Sequence, residues 1–166
     1  MEINKKKKIS IIVPIYNGEK YLEKLVMEIK KQKGNFILEL IALVTSSLDN
    51  SLEKSKELFD KVLEVKKFNH AKTRHRGALI AEGDILVFIT QDILPYDNNW
   101  LRKLVNPLNE NIIASFSKQI AYEEHSEIEK LLEDLIIQMK IEFVTNKMKR
   151  LMGEKIYFTV MLPQQY

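Results

Sequence analysis

The sequence predicts an α/β domain, a mostly parallel central sheet flanked by helices, and three observations predict it. Short apolar runs rich in β-branched residues alternate with longer segments whose apolar residues recur at helical spacing. The runs lack the alternation of a half-exposed strand, so both of their faces are covered, as in parallel sheets. Small polar clusters close three of these runs. Helical crossovers supply the cover, and such crossovers are right-handed.

"ISIIVPI", residues 9–15, is the first strand. Pro14 removes a ladder donor, so pairing is expected to finish about there. Asn17-Gly18 signals a turn. In "EKYLEKLVMEIKKQ", residues 19–32, Tyr21, Leu22, Leu25, Val26 and Ile29 form one helical face. "FILELIALV", residues 36–44, is the second strand, and residues 51–59 open a helix capped by Asn50 or Ser51. Residues 62–65 read as a short third strand, and residues 72–82 as a helix stopped by Gly83. "ILVFIT", residues 85–90, is another buried strand; a helix over 99–108, disturbed by Pro107, and a fifth strand over 112–116 follow. Beyond Glu124, the residues Ile128, Leu131, Leu132, Leu135, Ile136, Met139 and Phe143 predict one long C-terminal amphipathic helix.

With 166 residues, 45% apolar and 30% charged, the chain suits a single domain with a real core. It has no cysteine, which excludes disulfides and thiolate metal sites and fits a reducing cytoplasm. The net charge of +3 is too small to argue for nucleic acid. Four lysines at residues 5–8 read as a solvated terminus, with weak attraction to an anionic membrane surface as the minority reading. No apolar stretch approaches the ~20 residues of a membrane span, and the N-terminus lacks the apolar core of a signal peptide. The expected location is the cytoplasm, at most peripheral to the inner membrane face.

In parallel sheets ligands bind at the carboxyl ends of the strands. Three clusters fall there: Tyr16-Asn17-Gly18, Thr45-Ser46-Ser47 and Thr90-Gln91-Asp92. Asp92 reads either as a turn or helix cap or as a hard ligand for Mg²⁺ or Mn²⁺ that also carries phosphate. "FNHAKTRHRG", residues 68–77, places Lys72, Arg74 and Arg76 near a helix start, where they are phosphate ligands or ordinary surface cations. His70 and His75 lack the neighbouring carboxylate and third ligand of a zinc site, and His125 beside Glu123 and Glu124 reads as a solvated cap. Neither G-x-G-x-x-G, nor G-x-x-x-x-G-K-[ST], nor G-x-S-x-G occurs. Spacing alone thus yields an α/β domain with a site for a phosphorylated ligand.

The order of "ISIIVPIYNGEKYLEKLV" and "FNHAKTRHRGALIAEGDILVFITQDILPYDNNWLRKLV" resembles family 2 of the sugar-nucleotide-dependent glycosyltransferases over residues 9–129. The similarity is greatest to the rhamnosyltransferase-like branch, where F-N-H-G-x-T-R-N and T-Q-D-x-x-P recur. The resemblance implies a GT-A fold and transfer of a sugar, usually with inversion, from a nucleoside diphosphate donor to an acceptor. The donor would be dTDP- or UDP-linked, and the acceptor a glycan or a lipid-linked glycan. By resemblance Pro14, Tyr16 and Asn17 border the nucleotide pocket, with Gln91 beside them. Lys72 and Arg74 lie near the diphosphate, and Asp92 is the metal-binding acid, for Mg²⁺ or Mn²⁺. Where the family has V-D-x-G/S-S-x-D, this chain has Thr45-Ser46-Ser47-Leu48-Asp49 after Val44, so a hydroxyl replaces the base-contacting acid. Ala71 stands for Gly, and His75 for Asn.

Two parts of one domain are expected, the nucleotide-sugar-binding α/β unit over 1–122 and the long helix with its tail over 123–166. The family's later half supplies the acceptor surface and the catalytic base, so this chain is expected to be the donor-binding half. The alternative is a nucleotide-sugar-binding module without turnover, and a GT-A-like nucleotidyltransferase ranks third. Residues 158–166 suggest a frameshift: one back-translation with a single T added reads F-Y-S-N-V-A-A-A-I, close to the family's F-x-S-N-V-x-A-A. The coding DNA tests this directly. A shortened sheet would leave edges and apolar helix faces open and favour self-association.

Overall fold

A computed structural model of the chain describes residues 6–110 and 112–117, and the backbone of residues 158–160. In chain order the elements are β1 (Lys7–Ile15), α1 (Glu19–Lys30), β2 (Phe36–Thr45), α2 (Ser51–Leu58), β3 (Lys61–Val65), α3 (His70–Ile80), β4 (Ile85–Phe88), α4 (Trp100–Val105) and β5 (Phe158–Val160). The strands form one parallel sheet in the order β3-β2-β1-β4-β5.

β1 lies between β2 and β4, and its residues 9–15 are buried throughout, as an apolar run without alternation requires. Ile9, Ile11, Val13 and Ile15 pack with α1, Leu52 and Leu58 of α2, and α4. Ile12 turns to the opposite face, where Ile41, Leu43, Val65 and Phe88 meet Ala78 and Ile80 of α3. The chain therefore winds outward from β1 through β2 to β3. It then crosses back under the sheet by α3 and enters β4 on the far side of β1. In parallel sheets such a reversal sets the ligand-binding crevice between the carboxyl ends of the two strands, here β1 and β4.

The α3 face is layered. At its floor, Glu39 accepts from Ser10 Oγ and, at 2.9 Å, from the Glu82 amide, and pairs with Lys61 at 3.0 Å and Lys8 at 3.3 Å. Glu82 closes the ring, 2.6 Å from Lys61 and 2.8 Å from Lys8. Above it α3 packs closely on the sheet: a Cβ at Gly77 would lie 2.5 Å from Ile12 Cγ2. By strand alternation Pro14, Thr45 and Thr90 follow Ile12, Leu43 and Phe88 at the top of the same face.

Several expectations change. The lysine run is not wholly solvated, because β1 begins at Lys7 and Lys8 joins the floor network. Pairing with β2 continues past Pro14 to Ile15↔Val44, while pairing with β4 stops at Ile12↔Phe88. The Ile12 carbonyl accepts from Ile89 N at 3.2 Å, so Pro14, two residues on, directs its missing donor toward β4, where the ladder is ending. α3 starts at His70, two residues early, because Asn69 Oδ1 caps it by accepting from Lys72 N at 2.9 Å. It ends before Gly83, whose smallness is instead needed where a Cβ would meet Ser10 N at 2.6 Å. Residues 112–116 form only a bridge at Ala114, and the fifth strand is β5 beside β4. The long helix, His125 and its neighbouring acids lie outside the described residues.

Candidate functional site

The two loops beside the crevice are bound into one scaffold. Asn17, held at φ 45°, adopts the left-handed conformation that asparagine tolerates better than most residues. Its amide donates to Ser47 Oγ at 3.0 Å, and its Oδ1 accepts from Leu48 N at 3.1 Å. Gly18 N donates to Ser51 Oγ at 2.8 Å, and Glu19 N to Asp49 Oδ2 at 3.0 Å. Burial pushes the Asp49 carboxyl up, but hydrogen bonds from Ser51, Glu19 and its own amide outweigh this and hold it below its ordinary value. Across the crevice, Gln91 grips Tyr16 from both sides, Nε2 donating to Tyr16 O and Oε1 accepting from Tyr16 N, each at 2.9 Å. A Cβ at Gly18 would sit 2.5 Å from Gln91 Oε1, so this clamp needs glycine there.

Above the scaffold the polar atoms are unspent. Thr45 Oγ1, Thr90 Oγ1 and Asp92 Oδ1 are buried without a hydrogen-bond partner. A buried orphan oxygen costs free energy, so each of these three is a candidate ligand contact. Thr45→Val and Thr90→Val are each expected to stabilise the ligand-free protein by ~1 kcal/mol, read from urea unfolding, because a methyl removes the unsatisfied hydroxyl. A loss of stability in both would show that these hydroxyls serve the fold.

Arg74, one turn before Gly77 on α3, is half-buried, and burial alone lowers its pKa below the ordinary arginine value. Its Nη1 donates to His70 O at 3.3 Å and contacts His70 Nδ1 at 3.2 Å, which folds the side chain back toward the start of α3. No carboxylate pairs with it among the described residues. A partly desolvated guanidinium without a counter-ion is suited to an anion, which makes Arg74 a candidate anion contact. Lys72, His75 and Arg76 on the same helix are exposed.

The residues expected from the sequence therefore fall into two groups. Asn17 and Gln91 spend their side chains on the scaffold, and Tyr16 spends its backbone there while the residue as a whole stays 55% exposed. Thr45, Asp92 and Arg74 keep unused capacity, while Pro14 is buried and Ser46 exposed. Thr90 and His70 were not singled out as ligands; strand alternation from Phe88 and the i,i+4 spacing to Arg74 were the available signals. Among the described residues no group of three or more His, Asp or Glu gathers. The donor set is hard oxygen, which fits Mg²⁺ or Mn²⁺, and a cation on Asp92 would draw its remaining ligands from phosphate and water.

A family model described as Glycosyl transferase family 2 matches residues 10–158. Among curated proteins, the chain is 34% identical over 109 residues to an uncharacterized glycosyltransferase of Haemophilus influenzae, covering 62% of this chain and 43% of that protein. It is 29% identical over 112 residues to the O-antigen chain rhamnosyltransferase RfbN of Salmonella typhimurium, covering 65% and 35%. The match thus spans less than half the length of either relative. Among solved structures, glucosyl-3-phosphoglycerate synthase from Mycobacterium tuberculosis in complex with UDP superposes with a TM-score of 0.63 at 17% identity, covering 96% of this chain and 73% of that one. The same enzyme with Mn²⁺, UDP and glucosyl-3-phosphoglycerate gives 0.55 at 22% identity, covering 67% and 44%. S. aureus TarS 1–349 with UDP gives 0.55 at 22% identity, covering 72% and 38%. At these identities the structures speak to the fold.

Proposed function

The chain belongs to glycosyl transferase family 2 and has the GT-A fold, and on that premise we propose that it binds a nucleoside diphosphate sugar in the crevice between β1 and β4. It would serve as the donor-binding part of an enzyme that passes the sugar to a glycan or lipid-linked acceptor. The observation that supports this most is the set of three buried, unpartnered oxygens on Thr45, Thr90 and Asp92 at the strand ends.

In this reading Pro14, Tyr16 and Asn17 border the nucleotide, with Gln91 fixing the Tyr16 backbone. Thr45 and Ser46 face the base. A hydroxyl there both donates and accepts, so it discriminates less sharply between bases than a carboxylate, which only accepts. Arg74, with Lys72 beside it and the α3 N-terminus behind, holds the diphosphate. Asp92 anchors Mg²⁺ or Mn²⁺, which when bound supplies positive charge to a departing diphosphate. In transfer, an acceptor hydroxyl oxygen bonds to the anomeric carbon while the bond from that carbon to the diphosphate breaks. The nucleoside diphosphate leaves with the bonding electrons, and the hydroxyl proton passes to a general base. The UDP in the matched structures and the rhamnosyltransferase among the relatives support a UDP- or dTDP-linked donor. A location at the cytoplasmic side of a membrane belongs to the same proposal; among the described residues no helix is long and apolar enough to cross one.

Thermal unfolding with UDP, dTDP and GDP, each with and without Mn²⁺, tests it. A bound nucleotide at ~100 times its dissociation constant adds ~2.7 kcal/mol, or roughly 5–10 °C for a chain of this size. No shift with any nucleotide would sink the donor site. Slow release of free sugar from the donor would separate a transferase from a module that only binds.

A further inference from the structure

Resting on that donor site, we infer that His70 is a positioning residue, which holds the Arg74 guanidinium in place for the diphosphate. Asn69 Oδ1 accepts from Lys72 N at 2.9 Å, and Asn69 N donates to Thr73 Oγ1 at 3.3 Å, so the first helical turn is fixed from both sides. That places His70 and Arg74 four residues apart on one helical face. The Phe68 ring meets the imidazole edge-on at 4.6 Å and 76°, limiting its rotation. His70 Nδ1 then lies 3.2 Å from Arg74 Nη1, whose second contact is the His70 carbonyl at 3.3 Å.

A guanidinium only donates, so the shared hydrogen belongs to Arg74 and Nδ1 offers its lone pair. Both contacts use Nη1, leaving donors on Nη2 and Nε for a ligand. Holding a long cationic side chain in its bound conformation before the ligand arrives lowers the ordering cost of binding. His70 touches no ligand in this arrangement; it acts through Arg74.

A double-mutant cycle on the full chain tests this, with UDP and dTDP in the presence of Mn²⁺ as probes and affinity read by titration calorimetry. Arg74→Ala is expected to weaken binding roughly fifty-fold, the loss of charge-assisted bonds. His70→Ala should weaken it roughly five-fold, and should add nothing in the Arg74→Ala background. His70→Asn should restore most of the loss, because its side-chain oxygen sits as many bonds from Cα as Nδ1 does. His70 is exposed, so these variants are expected to keep the wild-type unfolding temperature without nucleotide. Equal weakening by His70→Ala in both backgrounds would mean that His70 meets the ligand itself, and would overturn the inference. Unchanged affinity in Arg74→Ala, or no binding by the wild type, would overturn it too, and would locate the failure in the donor site rather than in His70.

Discussion

Glu39→Ala is expected to destabilise the protein by about 3–5 kcal/mol, the range found when one partner of a buried charge network is removed. Only 4% of Glu39 is exposed, yet it carries a carboxylate on the sheet face otherwise filled by Ile12, Ile41 and Leu43. Burial pushes the carboxyl up, but hydrogen bonds from Ser10, the Glu82 amide, Lys61 and Lys8 more than reverse it and lower its pKa from 4.5 to about 2. A folded-state value below the unfolded one means that the charged form stabilises the fold. That contribution, ~3 kcal/mol, is fully present above the unfolded value near 4.5 and is lost as pH falls toward 2. Urea unfolding of wild type and Glu39→Gln between pH 7 and pH 2.5 reads both effects. The wild type should lose stability steeply below pH ~4.5 while the variant, already weaker, shows a flatter profile. Parallel profiles would show that other carboxylates govern the acid response.

The network also shows what the sequence conceals. Glu39 sits inside "FILELIALV", where the local pattern names no partner for a lone acid amid apolar residues. Its partners Ser10, Lys61 and Glu82 come from three other parts of the chain, so only the sheet register reveals the ring. β1, β2 and the amphipathic helix α1 were readable because local patterning alone decides their burial. β5 was not, since pairing with β4 is a long-range choice that three residues cannot announce. At the crevice, the ends of the strands were readable and the division of labour was not. Asn17 and Gln91 have the residue types of ligand contacts but complete a hydrogen-bonded scaffold. Thr90, by contrast, is inconspicuous in sequence and leaves an unpaired oxygen in the structure.

Asp92→Asn should abolish the Mn²⁺-dependent part of the nucleotide shift and leave the fold intact. Asparagine keeps the volume and an oxygen at this position but loses the charge on which a hard divalent cation depends. The sign of the metal-free effect is the sharper test. Without a cation, the Asp92 carboxylate faces the diphosphate as a like charge, so Asp92→Asn should bind UDP better than wild type when chelator is present. With Mn²⁺ the order should reverse, and the wild type should gain most or all of the ~2.7 kcal/mol expected at ~100 times the dissociation constant. Asp92→Ala should behave as Asp92→Asn toward metal, and should unfold no earlier than wild type without ligand, because it removes a buried oxygen that has no partner. This crossing of wild type and Asp92→Asn against metal distinguishes a cation ligand from a helix cap or turn acid. A capping acid would give variants of lower stability in every condition and no reversal with Mn²⁺. If that pattern appears, the oxygens of Thr45 and Thr90 and the guanidinium of Arg74 remain to bind the nucleotide, and the proposed metal role of Asp92 falls on its own.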